Sequence, residues 1–191
     1  MATAVAGIVL SAIGVAKGIG DTGVALFGGE DTLKRKRHWM QCSVKNETQY
    51  ELVLADSYFD SGEYYDAPHA TIPKFSVASF SVCNRTGLAG VSGGNLWTME
   101  LDNKTELKFS LGYTDPVVGS RKSGAIVGHK AKDGYEGATQ YGTNSKSGEY
   151  KGKDDKNTPT YFFFTLTAVT GHHTIYTIRQ TVTDTEWQID V

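Results

Sequence analysis

Residues 105–113 read Thr-Glu-Leu-Lys-Phe-Ser-Leu-Gly-Tyr, and their alternation constrains the fold more than any other stretch. Leu107, Phe109, Leu111 and Tyr113 fall on one side of an extended chain, with Glu106, Lys108, Ser110 and Gly112 on the other. A period of two describes a strand with one buried face. Six further runs share this texture, at 38–44, 50–59, 75–83, 95–102, 161–169 and 173–182. Turn-forming clusters separate them: "KNET", "DSGEYYDAPH", "NRTG", "LDNK" and "VTGHH". Short strands at this spacing, without helical periods between them, predict a mainly β fold, an antiparallel β-sandwich. The stretch 114–158 is rich in Gly, Lys, Asp and Ser. It reads as long loops around one short second helix near 132–141.

The opening segment differs in kind. Among the first 29 residues only Lys17 and Asp21 are charged and seven are glycine. On a helical wheel Val5, Ile8, Val9, Ala12, Ile13, Val15, Ala16, Ile19, Val24, Leu26 and Phe27 share a broad arc. Gly7, Ser11, Gly14, Lys17, Gly18, Asp21 and Thr22 lie opposite. This predicts an amphipathic N-terminal helix that is intrinsically weak, since five internal glycines cost on the order of 5 kcal/mol of helical propensity. No positive charge precedes its apolar core, as a signal peptide requires. Lys17, Asp21 and the glycines also interrupt the roughly 20 apolar residues that a spanning helix needs. Lys34, Arg35, Lys36 and Arg37 follow as a basic collar, suited to anionic headgroups, to a helix C-terminus or to a solvated linker. Residues 1–32 are read as segment and hinge, with "GGEDT" (28–32) as the hinge, and 33–191 as the sandwich.

The 191-residue chain has a formal net charge of −2 and no long unbroken basic run, so nothing draws it toward nucleic acid. Cys42 and Cys83 fit either one disulfide or two buried thiols. The sequons at Asn46, Asn84 and Asn103 allow glycosylation in a secretory pathway, though Asn and Thr equally suit turns. His172-His173, with His69 or His129, has no metal-ligand spacing, and Asp154-Asp155 sits in a solvated loop. No nucleophile elbow or phosphate loop occurs. The chain is therefore expected to be neither an enzyme nor a metal or cofactor protein.

The order of parts resembles the actinoporin family of pore-forming cytolysins. The match begins with the amphipathic segment and "LKRKRHWMQCSVKNET" (33–48) and continues through "SYFDSG" (57–62), Pro68 and Pro73. It then runs through "AGVSGG" (89–94), "LDNKTELKFSLGY" (101–113) and "VTGHHTIYTI" (169–178).

The resemblance implies a secreted or vesicle-stored soluble monomer that docks on a membrane, oligomerises and inserts its N-terminal helix to line a pore. Val5, Ile8, Val9, Ala12, Ile13, Ala16, Ile19 and Phe27 would then face lipid, and Ser11, Lys17 and Asp21 would face water. It also implies a phosphocholine headgroup site. Ser61 matches the serine of Tyr-Phe-x-Ser-Gly. Ser110 and Tyr113 match the serine and tyrosine of Phe-Ser-x-Pro-Tyr-Asp. Tyr135 opens a segment like Met-Tyr-Glu-Glu-x-Tyr-Tyr, with Tyr141 near its later tyrosines, and Val118 falls where the family has a pocket tyrosine. The match departs at "GYTDPVVGSRKSGAIV" (112–127), where Gly112 and Thr114 replace the motif's proline and aspartate. Val117, Arg121 and Lys122 there replace membrane-facing aromatics, the side chains that anchor proteins at headgroup level. Lipid, glycan and protein receptors therefore all stay open as partners. The alternative is a non-lytic lectin-like or lipid-binding module on the same sandwich.

Overall fold

A computed structural model describes residues 30–101, 105–140, 142 and 144–184. The segment 1–29 lies outside them, and with it the assigned lipid-facing Val5, Ile8, Val9, Ala12, Ile13, Ala16, Ile19 and Phe27 and the pore-lining Ser11, Lys17 and Asp21. Asn103 and Tyr141 lie outside them as well.

Among the described residues, twelve strands and two short helices follow one another. Helix α1 (Glu30–Leu33) is a single turn; β1 (Trp39–Glu47), β2 (Leu52–Ser61), β3 (Glu63–Asp66), β4 (Thr71–Ile72) and β5 (Val77–Cys83) come next. Then come β6 (Val91–Glu100), β7 (Glu106–Asp115), β8 (Lys122–Val127) and helix α2 (Ala131–Gln140). Strands β9 (Ser145–Lys146), β10 (Tyr150–Lys153), β11 (Pro159–Val169) and β12 (His173–Asp184) complete the described chain. One sheet runs β10-β11-β12-β1-β5-β3, with β9 also on β11; the other runs β4-β2-β6-β7-β8.

Among the described residues all pairings are antiparallel except β1 with β12, which run parallel from Gln41↔His173 to Glu47↔Arg179. The purely antiparallel expectation is corrected at this pair. The first strand slots between the last strand and β5, and the crossover between them is nearly the whole domain.

Alternation survives where only one face is covered. In β11, Thr160, Phe162, Phe164 and Leu166 are buried while Tyr161, Phe163 and Thr165 are half-buried. The inward residues of both sheets meet in one core containing Met40, Phe80, Trp97, Phe109, Phe162, Phe164 and Tyr176. Each such side chain contributes roughly 1.5–3 kcal/mol by leaving water. Leu107, Phe109, Leu111 and Tyr113 all join this core, as their spacing predicted. From Phe109 onward, however, β7 is buried on its second face too, because α2 covers it.

The expectation of loops across 114–158 is corrected by β8, β9 and β10. Gly, Ser and Lys weaken "KSGAIV" and "SK" as strands despite Ile126 and Val127, and both extend along the paired edges of β7 and β11. Likewise "DSGEYYDAPH" is not all turn. Gly62, at φ 87°, swings the chain from β2 across to β3, which pairs with β5 of the other sheet.

Cys42 and Cys83 are free and buried, so the disulfide option is not taken. Asn46 and Asn84 are buried with their side-chain amides engaged, which excludes sugar on either in the folded chain.

Candidate functional site

Helix α2 should not exist on propensity alone, since Gly134 and Gly137 interrupt ten residues. Its seat explains it. Gly94, Gly112 and Gly124 are cross-strand partners on β6, β7 and β8 and form a bare row across the sheet. The helix backbone settles on that row: a Cβ on Gly112 would lie 1.7 Å from the Gly134 carbonyl oxygen, and one on Gly94 2.3 Å from that of Ala131. Asp133 Oδ2 accepts the backbone N–H groups of His129 and Lys130 at 2.9 Å each, satisfying donors at the helix start. At the far end Gly142, at φ 57°, donates to the Gly137 carbonyl at 2.9 Å.

This seat orders the residues expected to hold a headgroup, and it divides them. Ser110 is fully buried beneath the helix, its hydroxyl donating to the Lys130 carbonyl at 2.7 Å. Tyr113 points to the opposite face and is fully buried in the core beside Phe59 and Phe80. Three residues apart on a strand, the two point to opposite faces of the sheet, and the structure does not bring them together. Burial raises the Tyr113 hydroxyl well above the ordinary tyrosine range.

Tyr135 is the half-buried member. It packs against Tyr58 of β2 with ring centroids 5.6 Å apart. Burial, and then the Asp60 carboxylate, push its hydroxyl upward. Lys132 and Glu136 form an exposed i,i+4 pair at 3.3 Å beside them. Ser61 is half-buried at the end of β2. Tyr58 and Asp60 were missed in the sequence; Asp60 stands at a register shift between Phe59 and Ser61, which no period in the sequence reveals.

Val118 lies apart, 87% exposed at the tip of the β7–β8 connection, with Val117 half exposed beside it. That connection adjoins the β5–β6 loop: a Cβ on Gly90 would meet the Asp115 carbonyl and Pro116 at 2.6 and 3.0 Å. The β5–β6 loop carries Leu88, 88% exposed and also missed, although it was readable as an apolar residue in a turn cluster.

The basic segment belongs to the same end of the sandwich. Arg37 donates to the Gly87 carbonyl at 3.3 Å, and the His38 N–H to Asn84 Oδ1 at 3.3 Å. Lys34, Arg35 and Arg37 are exposed, whereas Lys36 is half-buried. Buried Asp115 ties the parts together. It accepts the Trp39 N–H at 3.0 Å, and Arg121 Nε approaches it at 3.2 Å. His172, in the turn before β12, stacks on Trp39 with ring centroids 4.3 Å apart. Leu33 of α1 packs with Trp39 and Cys83 in a small satellite core, so the described chain begins at this end.

Among the described residues no group of three His, Cys, Asp or Glu side chains is placed to hold a metal. No helix among them is long and apolar enough to cross a membrane.

The fold is shared with a lipid-binding protein, Nakanori. The two align with a TM-score of 0.58 over 87% of this chain and 84% of that one, at 14% sequence identity. At that identity the likeness is one of fold. No protein-family model and no curated protein matches the chain.

Proposed function

We propose that this chain is a membrane-binding protein that docks on lipid bilayers through the end of the sandwich bearing Leu88, Val117 and Val118. The observation that carries the reading is the exposure of Leu88 and Val118, two large apolar side chains nearly bare at neighbouring loop tips among Arg35, Arg37, Arg85 and Lys122. Apolar tips rimmed by cations suit the boundary between acyl chains and headgroups. The lipid-binding relative in fold supports the same reading.

In the fuller form, which the actinoporin resemblance supports, the docked protein is a secreted, non-enzymatic cytolysin. It oligomerises, and residues 1–29 insert as a helix to line a pore. The anchoring of α1 by Leu33 at the docking end supports that form. A phosphocholine site would be built on Tyr58, Asp60, Ser61 and Tyr135, where the two rings and a carboxylate suit a quaternary ammonium. A second reading is a lipid-binding module without lysis. It is favoured by valines at 117 and 118 in place of interfacial aromatics.

Dye release and flotation with mixed-lipid vesicles test these readings together. The full chain is expected to float and to release dye, and a chain beginning at Leu33 to float without release. Flotation without release by the full chain selects the non-lytic module. Undiminished release by the truncated chain sinks helix insertion, and failure of the full chain to float on any vesicle sinks membrane docking.

A further inference from the structure

We propose that the bilayer met by the Leu88–Val118 end carries anionic phospholipid, and that its charge selects the docking orientation. This rests on the docking reading above. The segments forming this end, 30–38, 84–90 and 115–122, with Glu63 of neighbouring β3, hold seven of the chain's nineteen Lys and Arg. They hold only four of its twenty-one Asp and Glu. A chain of net charge −2 thus concentrates positive charge at one end and leaves the remainder acidic. That polarity turns the basic end toward a negative surface and the rest away from it.

The local pairing sharpens the point. Arg85 is matched by Glu63 at 3.4 Å and Arg121 by buried Asp115 at 3.2 Å. Arg35, Arg37 and Lys122 are exposed, and none has an ion pair among the described residues. Arg37 is held by the Gly87 carbonyl, and Lys122 Nζ by that of Thr139 at 3.0 Å. Carbonyl contacts position these cations without neutralising them. Once Leu88 and Val118 sink to acyl depth, the surrounding cations reach phosphate level, where each is worth about fivefold in affinity on an anionic surface.

The test is flotation of the full chain with vesicles of phosphatidylcholine alone and of an equimolar phosphatidylcholine–phosphatidylserine mixture. The mixture is expected to bind about a hundredfold more tightly, about fivefold for each of the three unpaired cations. That preference should collapse on raising salt, since exposed charges are screened. Arg35→Glu with Lys122→Glu should abolish it. Lys74→Glu with Lys156→Glu, the same charge change away from this end, should keep most of it. Equal binding to both vesicles, salt-insensitive binding to the mixture, or equal losses in the two double variants overturns the proposal while leaving docking intact. Binding to neither vesicle overturns the docking reading, and this proposal with it. Matched thermal melts of the variants and the parent show that each is folded.

Discussion

Asn46 heads a glycosylation sequon by its sequence and a hydrogen-bond network by its position. Its amide nitrogen donates to the Tyr50, Ile72 and Pro73 carbonyls at 2.7, 3.3 and 2.9 Å, and its oxygen accepts from the Thr48 hydroxyl at 2.7 Å. With no exposure, it pins the β1–β2 turn to the end of β4. Asn46→Ala should cost about 3 kcal/mol, read by urea unfolding, because buried carbonyls lose their donor.

Tyr113 was expected at a headgroup and lies in the core. Tyr113→Phe should therefore leave vesicle binding unchanged and shift stability by less than about 1.5 kcal/mol. Loss of lipid affinity without loss of stability would return the residue to the site.

Burial pushes the pKa of Tyr113, Tyr176 and Cys42 upward, so each is an acid that folding keeps neutral. Their contribution is whole below the unfolded values, near 8.5 for cysteine and 10 for tyrosine, and is lost as pH climbs beyond them. A melting temperature that falls steeply above about pH 10 and is flat just below neutrality is the expected profile.

At the scale of elements, the seat of α2 decides most. Three glycines far apart in sequence become one row, because the register of β6, β7 and β8 makes them neighbours. Nothing in "GG", "LGY" or "SGA" taken singly reveals this. Gly112→Ala puts a methyl group inside the Gly134 carbonyl and should displace the helix, costing about 3 kcal/mol. Gly148→Ala, where an added Cβ meets nothing within 4 Å, should be close to neutral. Chemical denaturation of the two variants side by side is the check. A tolerated Gly112→Ala would mean that the helix does not rest on the row. The same seat buries Ser110 beneath the helix, and it brings Tyr135 to Tyr58, a pair that strand alternation alone could not assemble.

At the scale of the whole molecule, one end gathers the loop tips, the basic segment and the beginning of the described chain. Leu88→Asp with Val118→Asp should weaken flotation on any vesicle at least tenfold, since two apolar side chains no longer leave water. Both are surface positions, so stability should change by less than about 0.5 kcal/mol each. Unchanged flotation would move the docking surface elsewhere.

Sequence by itself determined the β class, most strand positions and the inward face of β7, because alternation is a local property of an extended chain half-covered by core. It also marked the basic segment and Tyr135 for attention, since charge and aromatic character are visible without a fold. Tertiary structure alone decided the rest. The parallel closure of β1 on β12, the glycine row beneath α2, the burial of Ser110 and the adjacency of Leu88 to Val118 all depend on which strands pair and in what register. Those choices are made by contacts between residues tens of positions apart, and such contacts leave no period in the sequence.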